Sequence, residues 1–224
     1  MHFLTSFLSS SIGRKWLVAL TGLVLVGYVI GHMVGNLQIF AGPEKINAYA
    51  AFLHSMPALL WVVRIFLLGA FFLHIGLTIK LVAENRAARG GGYEKRNRVQ
   101  ARLATRTMAL SGLLVLAFVA FHLAHFTVRA TDARFHALPR GEYDVFSMVI
   151  LGFQSYLVSS FYVVAIFLLC LHLSHGFQSL CQTLGVNSAK VRLGLLHGGQ
   201  ALAVVIFLGY VSIPVAVLAG WLRL

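Results

Sequence analysis

Acidic residues are nearly missing from this chain of 224 residues: there are 6, against 18 Lys plus Arg and 10 His. Charge of either sign is scarce, at 11%. Soluble domains carry about 25% charged residues, so an ordinary water-soluble globule is excluded. The 59% hydrophobic content excludes a disordered chain as well. Cysteine is limited to Cys170 and Cys181, eleven positions apart. Without a CxxC step there is neither a zinc knuckle nor a disulfide framework, and Cys170, inside an apolar run, reads as a buried inert thiol. Proline is down to 4. Only Pro214 falls well inside an apolar run, so the broken spans of many transporters have no counterpart. With so few acids the formal charge is +12. A basic solvated face would suggest nucleic acid, but these bases sit between long apolar runs. A multi-spanning membrane protein fits better, and no nucleic-acid partner is expected.

Five apolar stretches reach the roughly 20 residues that a membrane helix needs: about 16–40, 58–80, 105–128, 147–178 and 195–222. The first is too long for a signal-peptide core and lacks an A-x-A exit, so it is expected to stay as an anchor. Before it, Met1 to Ile12 mixes Phe3, Leu4, Phe7 and Leu8 with serines, which suits a short interfacial helix. The expected fold class is an all-α membrane protein, with five transmembrane helices in a bundle. The whole of 1–224 reads as one membrane domain with no obvious internal repeat.

Between the second and third stretches lie Lys80, Arg86, Arg89, Lys95, Arg96, Arg98, Arg102 and Arg106, against three arginines (129, 134 and 140) between the third and fourth. Eight bases against three place the former loop in the cytoplasm. The N-terminus is then cytoplasmic and the C-terminus outside.

Histidine, more abundant than acid, carries the functional signal. An ionisable residue within a membrane helix is a functional candidate by default, although a lone one is often only a helix–helix hydrogen bond. Here His32, His74, His122 and His172 fall one each in the first four spans. At 1.5 Å rise per residue, His32 lies roughly 6 Å and His122 roughly 9 Å to the outer side, His74 roughly 6 Å to the inner side, and His172 deep in the inner half. Two imidazoles at each of two levels fit axial ligation of two stacked haems. Gly31, Gly35, Gly76 and Gly176 flank them, as a flat macrocycle would require and as ordinary helix packing would also produce. His125 and His175, each three residues further on, compete for the third and fourth places. His2, His136 and His197 fall at termini, loops or span edges.

The ordered set Gly-His-Met-x-Gly-Asn-Leu (31–37), Phe-Leu-His-Ile (72–75), Phe-Val-Ala-Phe-His (118–122) and Leu-His-Leu-Ser-His-Gly (171–176) resembles the five-helix, two-haem cytochrome b subunit of succinate dehydrogenase and fumarate reductase. The resemblance spans nearly the whole chain. It implies that His32 and His122 hold a distal haem b and that His74 and His172 hold a proximal one. It selects His122, which follows an aromatic residue, and His172. It also implies a flavoprotein and an iron–sulfur partner, a quinone (menaquinone) as electron acceptor or donor near the outer surface, and a place in a bacterial plasma membrane. Assembly of such complexes into higher oligomers stays open. Arg14, Lys15 and the basic second loop would dock the iron–sulfur subunit and neutralise haem propionates, or else only set topology.

His54, just before Pro57, stands where related subunits tend to carry an acid near the quinone. It is a candidate for proton exchange, or a helix-end histidine. Arg64 is the only Lys or Arg inside an expected span, and a distal propionate is the expected partner. Two rivals are a two-haem anchor of another dehydrogenase or hydrogenase, and a haem-free transporter with histidine proton relays.

Overall fold

The computed structural model describes residues 7, 9–87, 103–185 and 188–224. Most of the expected interfacial segment at the start, His2, and Arg89, Lys95, Arg96, Arg98 and Arg102 lie outside the described residues. Regular structure within them is helical: α1 (Ser11–Leu37), α2 (Pro43–His54), α3 (Pro57–Ala87), α4 (Leu103–His122), α5 (Val145–Phe153), α6 (Tyr156–Thr183) and α7 (Ala189–Leu218). Five spans, Ser11–Ala41, Pro57–Ala87, Leu110–Thr127, Tyr156–Thr183 and Leu193–Leu218, are long and apolar enough to cross a membrane. Their outward faces are hydrocarbon-like. In α3 only Ala70 is buried, while Trp61, Phe66 and Phe72 are 58%, 59% and 65% exposed. Continuous apolar surface of that extent needs a lipid or protein neighbour.

Two short helices break the expected pattern. Gly42, at φ +97°, makes a turn that a side chain would resist, and Pro43 then opens α2 without losing a helical hydrogen bond. The stretch expected as one span over 147–178 divides at Gln154–Ser155 into α5 and α6. Ser155 caps α6, its hydroxyl accepting from the Val158 N–H. Asp144 caps α5. Its carboxylate, 0% exposed, accepts from the Ser147 N–H at 3.1 Å, the Asn47 amide at 3.0 Å and the Arg140 N–H at 3.0 Å. Asn47 Oδ1 in turn accepts from the Phe146 N–H at 3.0 Å. These bonds pin α2 to α5 at the end of the bundle opposite the start of α1.

α1 packs along α3, and α4 along α6. The chain therefore runs span, short helix, span twice over, and the two short helices meet each other. α7 packs along α6 and against α1, held by the Tyr210 hydroxyl donating to the Val29 carbonyl at 2.7 Å and by Met33 seated on Gly209.

The two units also share a short sequence pattern. Ala19-Leu20-Thr21-Gly22-Leu23 in α1 corresponds to Ala109-Leu110-Ser111-Gly112-Leu113 in α4. Each glycine precedes a histidine by ten positions (22 to 32, 112 to 122). Both helices open their units and cross in the same direction. The similarity is short and set in uniformly apolar sequence, which hides it. α1 and α4 pack closely at isolated points at most.

Candidate functional site

At the level nearer α2 and α5, His32 of α1 faces His122 at the end of α4. Their ring centres are 5.8 Å apart with planes at 82°. Tyr28, one turn earlier, stacks on His32 at 5.4 Å and 17°, and Tyr210 approaches it at 6.3 Å. Beyond His122 the helix widens into a π-turn, Leu123–Thr127, closed by the Val128 N–H donating to the Leu123 carbonyl at 2.8 Å. Such turns are frequent at functional sites. Here the turn accompanies a buried His125, 3% exposed, whose ring meets Phe126 at 4.1 Å and Phe135 at 5.3 Å. It is thus His122 that meets His32, while His125 turns into the aromatic core. The Tyr162 hydroxyl bridges the two, 3.3 Å from His122 Nδ1 and 3.0 Å from His125 Nδ1. A hydroxyl has one hydrogen and two lone pairs, so it donates to at most one of these imidazoles and can accept from either or both. Accepting from His122 leaves the His122 Nε2 without a proton.

At the other level His74 of α3 lies against α1. A methyl at Gly22 would sit 3.2 Å from His74 Cε1, so the ring rests on bare backbone. His74 Nδ1 is 3.1 Å from both the Val18 carbonyl and the Thr21 hydroxyl. That hydroxyl donates its own hydrogen to the Leu17 carbonyl at 2.7 Å. A carbonyl can only accept, so Nδ1 carries the proton and Nε2 is the free base. The second unit repeats the arrangement. A methyl at Gly112 would lie 3.3 Å from His172 Cε1. His172 Nδ1 is 3.5 Å from the Ser111 hydroxyl, which donates to the Met108 carbonyl at 3.0 Å. His74 and His172 are within electrostatic reach of each other, with His175 beside His172. The ten-residue step from Gly22 to His32 sets the two levels about 15 Å apart.

Each level thus offers two imidazoles. A metal bonded at about 2 Å to a nitrogen on either side separates ring centres by roughly 6 Å, close to the 5.8 Å between His32 and His122. Two nitrogens do not enclose a bare ion. They suit a metal that brings its own in-plane ligands, as haem iron does, and helices α1 and α4, which stay apart, do not obstruct a flat group between them.

The remaining candidates are more dispersed. Arg64 stands ten residues before His74 and so at the level of His32. Its guanidinium lies 5.3 Å from the Trp61 ring centre and within electrostatic reach of Tyr28. Among the described residues the ion pairs are Arg14–Glu84 and Arg134–Asp132, and Arg64 is in neither. Arg14 directs Nη2 to Glu84 at 2.7 Å, while its buried Nε has no partner among the described residues. Lys15 is exposed. His54 is exposed at the end of α2, with Nδ1 bonded to the Ala50 carbonyl at 2.8 Å and its ring 4.8 Å from Tyr143. His136 and His197 are exposed, and Cys170 and Cys181 are free and buried. Sequence reasoning missed Thr21, Ser111 and Tyr162. The repeated hydroxyl–glycine step, at a fixed distance from a histidine, was the available signal for the first two. Comparison with family models, with curated proteins and with solved structures returned no match.

Proposed function

We propose that the chain is the membrane-anchor cytochrome b subunit of a succinate dehydrogenase or fumarate reductase, passing electrons between an iron–sulfur partner and a quinone, menaquinone in the family it resembles. The observation that carries this is the approach of His32 to His122, together with the matching placement of His74 and His172 on the equivalent steps of the repeat. His32 and His122 hold the outer haem b in this proposal, and His74 and His172 the inner. Bound haem supplies reversible one-electron chemistry, tuned by axial ligand, hydrogen bonding and burial.

The chain's own residues do the rest. Val18, Thr21 and Ser111 orient the inner imidazoles, Tyr162 orients His122, and Tyr28 and Tyr210 screen His32. Arg64 supplies the positive charge for an outer propionate. His54, exposed at the α2 end, exchanges protons with the quinone. Lys15 and the basic residues at the opposite end meet the iron–sulfur subunit.

The test is a reduced-minus-oxidised spectrum with haem quantification on the full chain in membranes. Two b-type haems per chain are expected, and one each in His122→Ala and His172→Ala. No haem would overturn the proposal, and a single haem would break the two-level pairing. A copurifying flavoprotein with succinate-oxidising activity separates it from the anchor of a hydrogenase or formate dehydrogenase.

A further inference from the structure

We infer that the two hydroxyl–glycine steps, Thr21-Gly22 and Ser111-Gly112, are duplicated positioning elements that hold His74 and His172 with Nδ1 protonated and Nε2 bare toward the inner haem, an assignment that rests on the function proposed above. Thr21 and Ser111 are 9% and 4% exposed. Buried hydroxyls in a helix commonly bond the carbonyl one turn back, and both do so here. That bond uses the hydroxyl hydrogen and turns the oxygen lone pairs outward, where each meets an imidazole Nδ1 from another helix. The adjacent glycine removes the one group that would push the ring away: a methyl at either position would stand 3.2 or 3.3 Å from a ring Cε1. Simple helix packing explains small residues but not the coincidence, in both units, of a hydroxyl–glycine step ten positions before a histidine with an imidazole from another helix seated on it.

An acceptor on the distal ring nitrogen fixes the tautomer and makes an imidazole a stronger donor to its metal. Stronger donation favours oxidised iron. Removing the acceptor therefore raises the midpoint potential of the inner haem and leaves the outer haem, some 15 Å away along the bundle, unchanged. The Val18 and Met108 carbonyls remain as second acceptors for His74 and His172, so the largest shift belongs to the double variant.

The experiment is potentiometric titration and low-spin haem EPR of the full chain in membranes, for wild type, Thr21→Val, Ser111→Ala and the double variant. The expected result is an upward shift and an altered EPR signature confined to the inner haem, reversed by Thr21→Ser and Ser111→Thr. Loss of the inner haem alone, with roughly tenfold weaker retention, supports the assignment equally. An unmoved inner haem in the double variant overturns it. Should the hydroxyl variants fail to accumulate, Gly22→Ala and Gly112→Ala decide: their methyls press on the rings and move the inner potential, and no movement overturns the assignment. Wild type is counted first. A wild-type chain without haem sinks the haem proposal, whereas two haems with an inert double variant sink only the positioning role.

Discussion

Arg64 shows what a single residue contributes at this depth. A cation in a hydrocarbon span is costly unless something offsets its charge, and the contacts it makes, with the Trp61 ring and toward the Tyr28 hydroxyl, offset only part of it. An anionic propionate would complete the set. Removing the charge should then make the outer haem harder to reduce. A unit charge about 10 Å away at an effective dielectric of 20 is worth about 1.7 kcal/mol, or roughly 70 mV for a one-electron couple. Arg64→Gln is expected to lower the outer midpoint potential by that order, with Arg64→Lys close to wild type. An unchanged potential in Arg64→Gln rejects the pairing. At this scale the sequence was informative about groups with rare chemistry, such as His32 or Arg64 in apolar runs. It was silent about their partners. Tyr162 and Thr21 are common residues whose importance comes from where another helix places them.

Among the elements, the joined short helices α2 and α5 depend on one carboxylate. Burial alone would push the Asp144 carboxyl upward, but hydrogen bonds from Ser147, Asn47 and the Arg140 backbone outweigh it and hold the group below the ordinary value of 3.8. A group depressed in the folded state contributes stability above its unfolded value and loses it as pH falls through the folded one. The α2–α5 junction is therefore expected to stay firm at neutral pH and to loosen only well below pH 3.8. Hydrogen exchange at the Phe146 and Ser147 amides measures this. Asp144→Ala should raise exchange there at neutral pH, at a cost of about 1–3 kcal/mol for the donors left without an acceptor. Protection unchanged in that variant would show that the carboxylate does not hold the junction. The short helices were partly legible in advance. Gly42-Pro43 and Pro57 punctuate the chain in the ordinary way, yet between two long apolar runs they pass for a loop. α5 was concealed by its own apolar composition, since Phe146 to Phe153 continues almost without a break into α6 and only Gln154-Ser155 separates them.

For the molecule as a whole, five spans could be counted from hydropathy because lipid imposes length and composition on each. Their arrangement could not, because packing between apolar helices leaves little mark on which apolar residue is used. The ends still differ in charge. Arg14, Lys15, Lys80, Arg86 and Lys190 lie at the end away from α2 and α5, with Glu84 as their acid among the described residues, whereas Asp132, Glu142 and Asp144 accompany Arg129, Arg134 and Arg140 at the other end. By the positive-inside rule the former end is expected to face the cytoplasm. Single cysteines introduced as Gly92→Cys and Ala137→Cys should label from the cytoplasmic and outer sides respectively with an impermeant thiol reagent. The native Cys170 and Cys181 are buried and contribute little background. The reverse labelling pattern would invert the orientation.

The two-unit architecture also imposes an order in time. Each level draws one histidine from each unit: His32 waits for His122, and His74 for His172. No level is complete while only the first unit has left the ribosome. The pair nearer α2 and α5 can close once α4 is inserted, and the other only after most of α6 has followed. Under the proposed function, the groups these pairs hold are expected to arrive late in biosynthesis, and the level completed last lies nearer the N-terminal end of the bundle.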